Sequence, residues 1–299
     1  MNEFCVLFKR NVKQFFKDNG LFFTSLITPI ILLVLYITFL GNVYRSSFED
    51  IFSGFSAIKE DLLDAFVGGQ LVSSLLAVCC VTVSFCSNML MVQDKVNGAR
   101  RDIIMTPVSS SAISLAYFFA SFVSTLIITL TALAAGFLYL SVVGWYLSFT
   151  DVMLLLSDVF MLTLFGTALS SLINFFLSSQ AQISAVGSIV SAGYGFICGA
   201  YMPISQFSEA VRNVVSFLPG TYATSLMRSH ATSGVFAELE KSDLPKDILD
   251  GLADSIDCNV YIGADRISIP IMYAVLVGSI VLLLGAYVAV NVVYSKKAK

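Results

Sequence analysis

Gly68-Gly69-Gln70-Leu71-Val72-Ser73-Ser74-Leu75-Leu76-Ala77-Val78-Cys79-Cys80-Val81-Thr82-Val83-Ser84-Phe85-Cys86-Ser87-Asn88-Met89-Leu90-Met91-Val92 runs for 25 residues without a charged side chain. Asp94-Lys95-Val96-Asn97-Gly98-Ala99-Arg100-Arg101-Asp102 follows almost at once. A helix of about 20 apolar residues crosses the hydrocarbon core of a bilayer, and lipid forces every backbone polar group in it to pair internally. The run therefore predicts a membrane helix, and the charges after it predict a connector in water. Similar apolar runs occur at 21–41, 112–140, 152–177, 182–202 and 267–292. The expected fold is an all-α polytopic membrane protein with six transmembrane helices. Composition agrees: 57% of the 299 residues are hydrophobic and only 12% are charged, roughly half the charge of a soluble domain.

Charge sets the expected orientation. The N-terminal stretch, the loop after the second run and the C-terminal tail hold ten basic and four acidic residues; the opposite loops hold seven and fourteen. Basic residues in short loops stay in the cytoplasm, so both termini are expected there and the protein in the plasma membrane. The run at 21–41 is too long for the core of a cleavable signal and reads as a retained anchor. Residues 3–18 place Phe4, Phe8, Val12, Phe15 and Phe16 at helical spacing opposite Arg10, Lys13 and Lys17. Such a helix lies at the membrane interface, with its rings in the acyl boundary.

Two segments carry more than topology. In the connector at 94–107, a short helix would show charges to a soluble partner, tuck Ile103, Ile104 and Met105 underneath, and end at Pro107. After the fifth run, Gly199-Ala200-Tyr201-Met202-Pro203-Ile204 precedes Phe207, Val211, Val214, Val215 and Leu218, an amphipathic spacing. Pro219-Gly220-Thr221-Tyr222 and Arg228 come next.

Together these segments resemble the permeases of the ABC-2 transporter family. Asp94, Gly98, Thr106 and Pro107 match the family's acid, glycine and Thr-Pro spacing, although the acid is usually Glu and a Thr often stands where Ala99 does. The Pro-interrupted fifth helix, the short helix and the Pro-x-Thr-Tyr match a family pattern of outer-leaflet re-entrant helices before the last span. The resemblance implies the membrane subunit of an ATP-driven exporter of drugs, antibiotics, peptides, lipids or glycans. It implies a separate ABC ATPase subunit holding ATP and Mg, and a second permease chain, identical or not. It also implies that the short coupling helix, with Asp94, Gly98, Arg100, Arg101, Thr106 and Pro107, receives the ATPase together with Arg10 and Lys13 of the interfacial helix. No G-x-x-x-x-G-K-[ST] occurs in the sequence, so no P-loop binds ATP in this chain. No nucleic-acid partner is expected.

Inside the membrane, Ser184, Ser188, Ser191 and Gly195 share one face of the fifth run, where small residues permit close approach. That face, with Asn88, Asn174 and Asp158, is the expected translocation path or dimer interface. Asp158 lies about two turns inside its span, where charge is costly, so it should face protein or water or be protonated. An ion-coupled secondary transporter using Asp158 is the alternative function, although that class shows inverted repeats and none is evident. Pro29 should kink the first span. The outer loop, 203–266, holds the lone histidine, His230, read as a loop residue; Cys258, the one cysteine in a polar loop; and a helix capped by Asp243, whose acids Asp247, Asp250, Asp254 and Asp257 read as a solvated face. One histidine excludes a clustered catalytic or metal site. No cofactor is expected on this chain.

Overall fold

The computed structural model describes residues 2–52, 60–242, 245–263 and 265–297. The protein is a bundle of long helices. The interfacial helix α1 (Asn2–Lys17) leads into α2 (Asn19–Leu35), a π-helical turn (Tyr36–Leu40) and α3 (Gly41–Phe52). Then come α4 (Glu60–Val96), the short α5 (Ala99–Ile104), α6 (Ser110–Val143), α7 (Phe149–Phe176) and α8 (Gln180–Ile197). Past α8 the chain folds into α9 (Glu209–Val215), α10 (Pro219–Glu240), α11 (Lys246–Ser255) and a two-stranded hairpin of β1 (Tyr261–Ile262) and β2 (Asp265–Arg266); α12 (Ile269–Lys297) closes it.

Helix α4 is the axis. It packs against α2, α6, α7, α8 and α10, and almost every residue from Leu62 to Asp94 is buried. At 37 residues it is about 55 Å long, longer than the roughly 30 Å hydrocarbon core of a bilayer. The small and hydroxylated residues of α4, Ser73, Ser74, Thr82, Ser84 and Ser87 among them, explain its central place, because they let neighbouring backbones come close and then bond across the gap. Ser84 Oγ lies 3.2 Å from Thr167 Oγ1, and Ser87 Oγ lies 3.0 Å from Thr125 Oγ1. Helices α6 and α12 instead expose apolar side chains such as Leu138, Val142, Val281 and Leu282, as lipid-facing helices do.

Among the described residues, five helical stretches are long and apolar enough to cross a membrane: Asn19–Ser46, Glu60–Val96, Ser110–Val143, Phe149–Phe176 and Ile269–Val293. The sequence predicts six. The difference is α8, expected to span 182–202 but only 18 residues long, about 27 Å, and opening on Gln180 and Gln182. It stops at Ile197 because Gly199 turns left-handed, with φ 76°, and the amides of Ala200 and Tyr201 both return to the Gly195 carbonyl. The turn lays the Tyr201 ring on Gly195, where a Cβ would sit 2.3 Å from the ring.

The helix ends sort into two groups. At one end, α1 meets the C-terminal end of α4, and the C-terminal part of α12 meets the start of α6 through Ser114–Asn291 and Tyr287–Ser114 bonds. At the other, α3, the start of α4 and α9 to α11 come together, with Tyr36 donating to the Val67 carbonyl and Arg45 to Asp64. The first end is called the α5 end below.

Three expectations for the outer loop are corrected. Residues 219–240 form one 22-residue helix whose inner face is buried against α4, α7 and α12, so His230 is a buried helix residue rather than a loop residue. Cys258 is buried as well. Asp257 is not on a solvated face: it lies past α11 with φ 56°, buried, while Asp247 and Asp250 are exposed. The expected cap, Asp243, lies outside the described residues. Helix α2 runs through Pro29 without interruption, and the first irregularity is the π turn at Tyr36–Leu40.

Candidate functional site

The α5 end begins with a charge pair. The Arg10 guanidinium donates to both oxygens of Asp94, at 2.5 and 3.1 Å, and Tyr117 Oη donates to Oδ2 at 2.6 Å. Asp94 is 2% exposed; a charge so buried persists only when paired. The hydrogen bond that Arg10 donates to Asp94 holds the Arg10 proton more tightly than usual. The pair binds α1 rigidly to the last turn of α4. The aromatic residues of α1 expected in lipid partly serve the same purpose: Phe15 is buried, and Phe4 meets Phe119 of α6 edge-on at 6.0 Å. Lys13 is exposed.

Gly98 reverses the chain after α4 with φ 83° and caps α5. Left-handed backbone strains any residue with a Cβ, which accounts for glycine here. Arg100 lies over the Phe175 ring at 5.8 Å. Arg101, Thr106 and Pro107 are exposed. Of the three apolar residues expected beneath α5, only Ile103 packs inward; Ile104 is 53% and Met105 79% exposed. The helix also ends at Ile104, before Pro107, because Met105 closes its last turn onto the Arg101 and Ile103 carbonyls. The result is a projecting knob with an apolar tip flanked by a cation, the composition of a contact surface rather than of a free loop.

The second feature is a cleft of about 870 Å³ between α2, the π turn, α3 and α8. Its wall is apolar (Ile27, Ile31, Phe39) and interrupted by Thr24, Thr28, Ser188 and Ser191. Among the described residues, none that lines it carries a charge. Tyr44 lines it too, buried, with a hydroxyl that finds no hydrogen-bond partner among the described residues.

The other members of the expected path lie elsewhere. Asn88 is enclosed between α4, α6 and α7: its amide donates to Ser170 Oγ and Ser171 Oγ at 2.6 and 2.9 Å, and Ser121 donates back. Asn174 donates to the Phe85 carbonyl at 3.5 Å. Asp158 is 1% exposed and faces protein, between Tyr273 Oη at 2.5 Å and His230 Nδ1 at 2.6 Å. It staples α7 to α10 and α12. Gly195 is covered by Tyr201 of its own chain. Only Ser184, Ser188 and Ser191 of the α8 face remain open, and Ser188 and Ser191 line the cleft.

Residues 2–230 match the profile of the ABC-2 type transporter family. The chain belongs to that family. No curated protein matches it. The match runs from α1 into the middle of α10, so the α1–α4 clamp, α5 and the cleft-lining helices α2, α3 and α8 all lie within it. An ABC-2 permease is the membrane subunit of an ABC transporter and works with a separate ABC ATPase subunit. This permease is therefore a multi-pass membrane protein with a transport role.

Proposed function

We propose that this ABC-2 permease is half of the membrane portion of an ATP-driven exporter, with two permease chains and two ATPase subunits. The observation that carries this reading is the knob at the α5 end. Its tip, Ile104 and Met105 beside Arg101, is exposed, while α5 packs against α4, and α4 touches most other helices of the bundle. Pressure on α5 is thus delivered to the axis of the bundle, and the Arg10–Asp94 pair carries α1 along with it. In this reading the α5 end and both termini are cytoplasmic, in the plasma membrane. Helix α8, which runs from the end of α7 back toward α9 to α11, is the sixth span, and α9 and α10 are the re-entrant helices of the outer leaflet.

The cleft along Ser188 and Ser191 serves as the cargo path or faces the second permease. Its uncharged, hydroxyl-dotted wall suits a hydrophobic or amphipathic cargo. The ion-coupled alternative rests on Asp158, and the two hydrogen bonds that hold it between α10 and α12 favour a structural role.

The test is copurification from native membranes followed by reconstitution. The permease should bring down an ABC ATPase subunit, and Met105→Asp should break that association while the isolated permease stays folded. Cargo flux that continues without ATP, or recovery of no ATPase subunit, would remove this reading.

A further inference from the structure

A second cavity, of about 390 Å³, opens at the α5 end between the end of α7, the start of α6 and the last turns of α12. Two cations line it. Lys95 Nζ is spent on the C-terminus of α7, donating to the Asn174, Phe175 and Leu177 carbonyls. Arg100 is held over the Phe175 ring, close enough for its charge to be felt at Lys95. Arg100 Nε is buried and has no hydrogen-bond partner among the described residues. Among the described residues no carboxylate lines the cavity: Asp94, next to Lys95, is taken up by Arg10 and Tyr117, and Asp102 is exposed on α5.

Two neighbouring positive charges with no carboxylate beside them among the described residues, and an unused buried donor, are unfavourable unless an anion completes them. The rest of the wall adds one helix N-terminus: Ser110 stands in the first turn of the 34-residue α6, whereas Ser178, before α8, already donates its amide and hydroxyl to Gln182. Helix N-termini present amide donors and a positive dipole end to an anion. The lip, in contrast, is apolar: Ile104 is 53% and Phe176 56% exposed.

We infer that this cavity binds a phosphate group carried on an anionic phospholipid, the guanidinium of Arg100 taking the phosphate and Ile104 and Phe176 meeting an acyl chain. An arginine presents a planar fork of donors suited to phosphate. A free phosphate would use the polar wall and leave the apolar lip uncovered. Because the cavity touches both α5 and the end of α7, lipid bound there braces the knob against the bundle.

The test uses the full chain purified in a neutral maltoside detergent. It is titrated with dioctanoyl phosphatidylglycerol, with dioctanoyl phosphatidylcholine and with inorganic phosphate, and adducts are counted by native mass spectrometry. One phosphatidylglycerol should be retained in preference to the other two. Arg100→Gln should weaken that retention about tenfold or more, the consequence of losing a charge-assisted hydrogen bond. Ser110→Asp should do the same, and it keeps the fold because an acid is welcome in the first turn of a helix. Lys17→Gln, an exposed change on α1, should leave retention unaltered. Equal binding of inorganic phosphate would overturn the lipid assignment. Retention unaffected by Arg100→Gln and Ser110→Asp, or lost equally in Lys17→Gln, would overturn the site. So would protection of Arg100 by the ATPase subunit with no lipid retained, which would give the cavity to a protein partner.

Discussion

Among single residues, Arg228 and Asp158 carry the most consequence. Arg228 is 1% exposed. It donates to Asp257, to the Ile256 and Gly199 carbonyls and to Ser74, while Asp257 accepts from the Ile204 and Ser205 amides. One guanidinium thus joins α10, α4 and the turns after α8 and α11. Arg228→Ala leaves Asp257 buried and unpaired and should cost roughly 3–5 kcal/mol. Adding Asp257→Ala should cost much less than the two single losses together, as coupled neighbours do. Thermal unfolding of the purified variants checks this, and strictly additive losses would refute it. Asp158→Asn keeps the shape of the Tyr273–His230 staple but loses charge, and should cost about 1.5–3 kcal/mol. If Asp158 is structural, the folded fraction of Asp158→Asn should still show ATP-driven flux. Loss of an ATP-independent, proton-driven flux instead would favour the ion-coupled alternative.

At the scale of elements, two glycines position the surfaces assigned to function. Gly98 aims α5, and a Cβ there would meet nothing within 4 Å, so Gly98→Ala acts on conformation alone. The left-handed backbone should cost about 1–2 kcal/mol, felt as a reoriented α5. Permease-stimulated ATP hydrolysis should fall further than the melting temperature does; the opposite ranking would argue that α5 has no coupling role. Gly195 holds Tyr201 at the top of α8. Gly195→Ala must push that ring aside, at about 1–3 kcal/mol. Because Tyr201 also lines the cleft, cargo transport should change, whereas Gly278→Ala, where an added Cβ meets nothing within 4 Å, should leave it alone. The same scale shows where periodicity misleads. The apolar run at the end of α5 suggests a buried underside, yet a six-residue helix has too little length to cover three apolar side chains, and two of them face out.

For the whole molecule, the topology is the quantity to test. In a background lacking the six native cysteines, Met105→Cys should react with an impermeant maleimide only after the membrane is opened. Asp247→Cys, exposed on α11 at the opposite end, should react in intact cells. The reverse pattern would invert the protein and end the coupling proposal. Much of this architecture is legible in sequence alone. Long uncharged runs such as 68–92 have one stable home, a helix in lipid, and the 94–107 segment has the composition of a connector in water; both follow from local solvation and need no knowledge of neighbours. Tertiary structure alone decided which polar groups meet. His230 reads as a loop residue until α10 is seen to carry it to Asp158, 72 positions away, and Tyr273 and Tyr117 bear no sequence mark of the carboxylates they bind. A buried charge is tolerable only through partners that folding brings from distant segments, and no local pattern encodes that meeting.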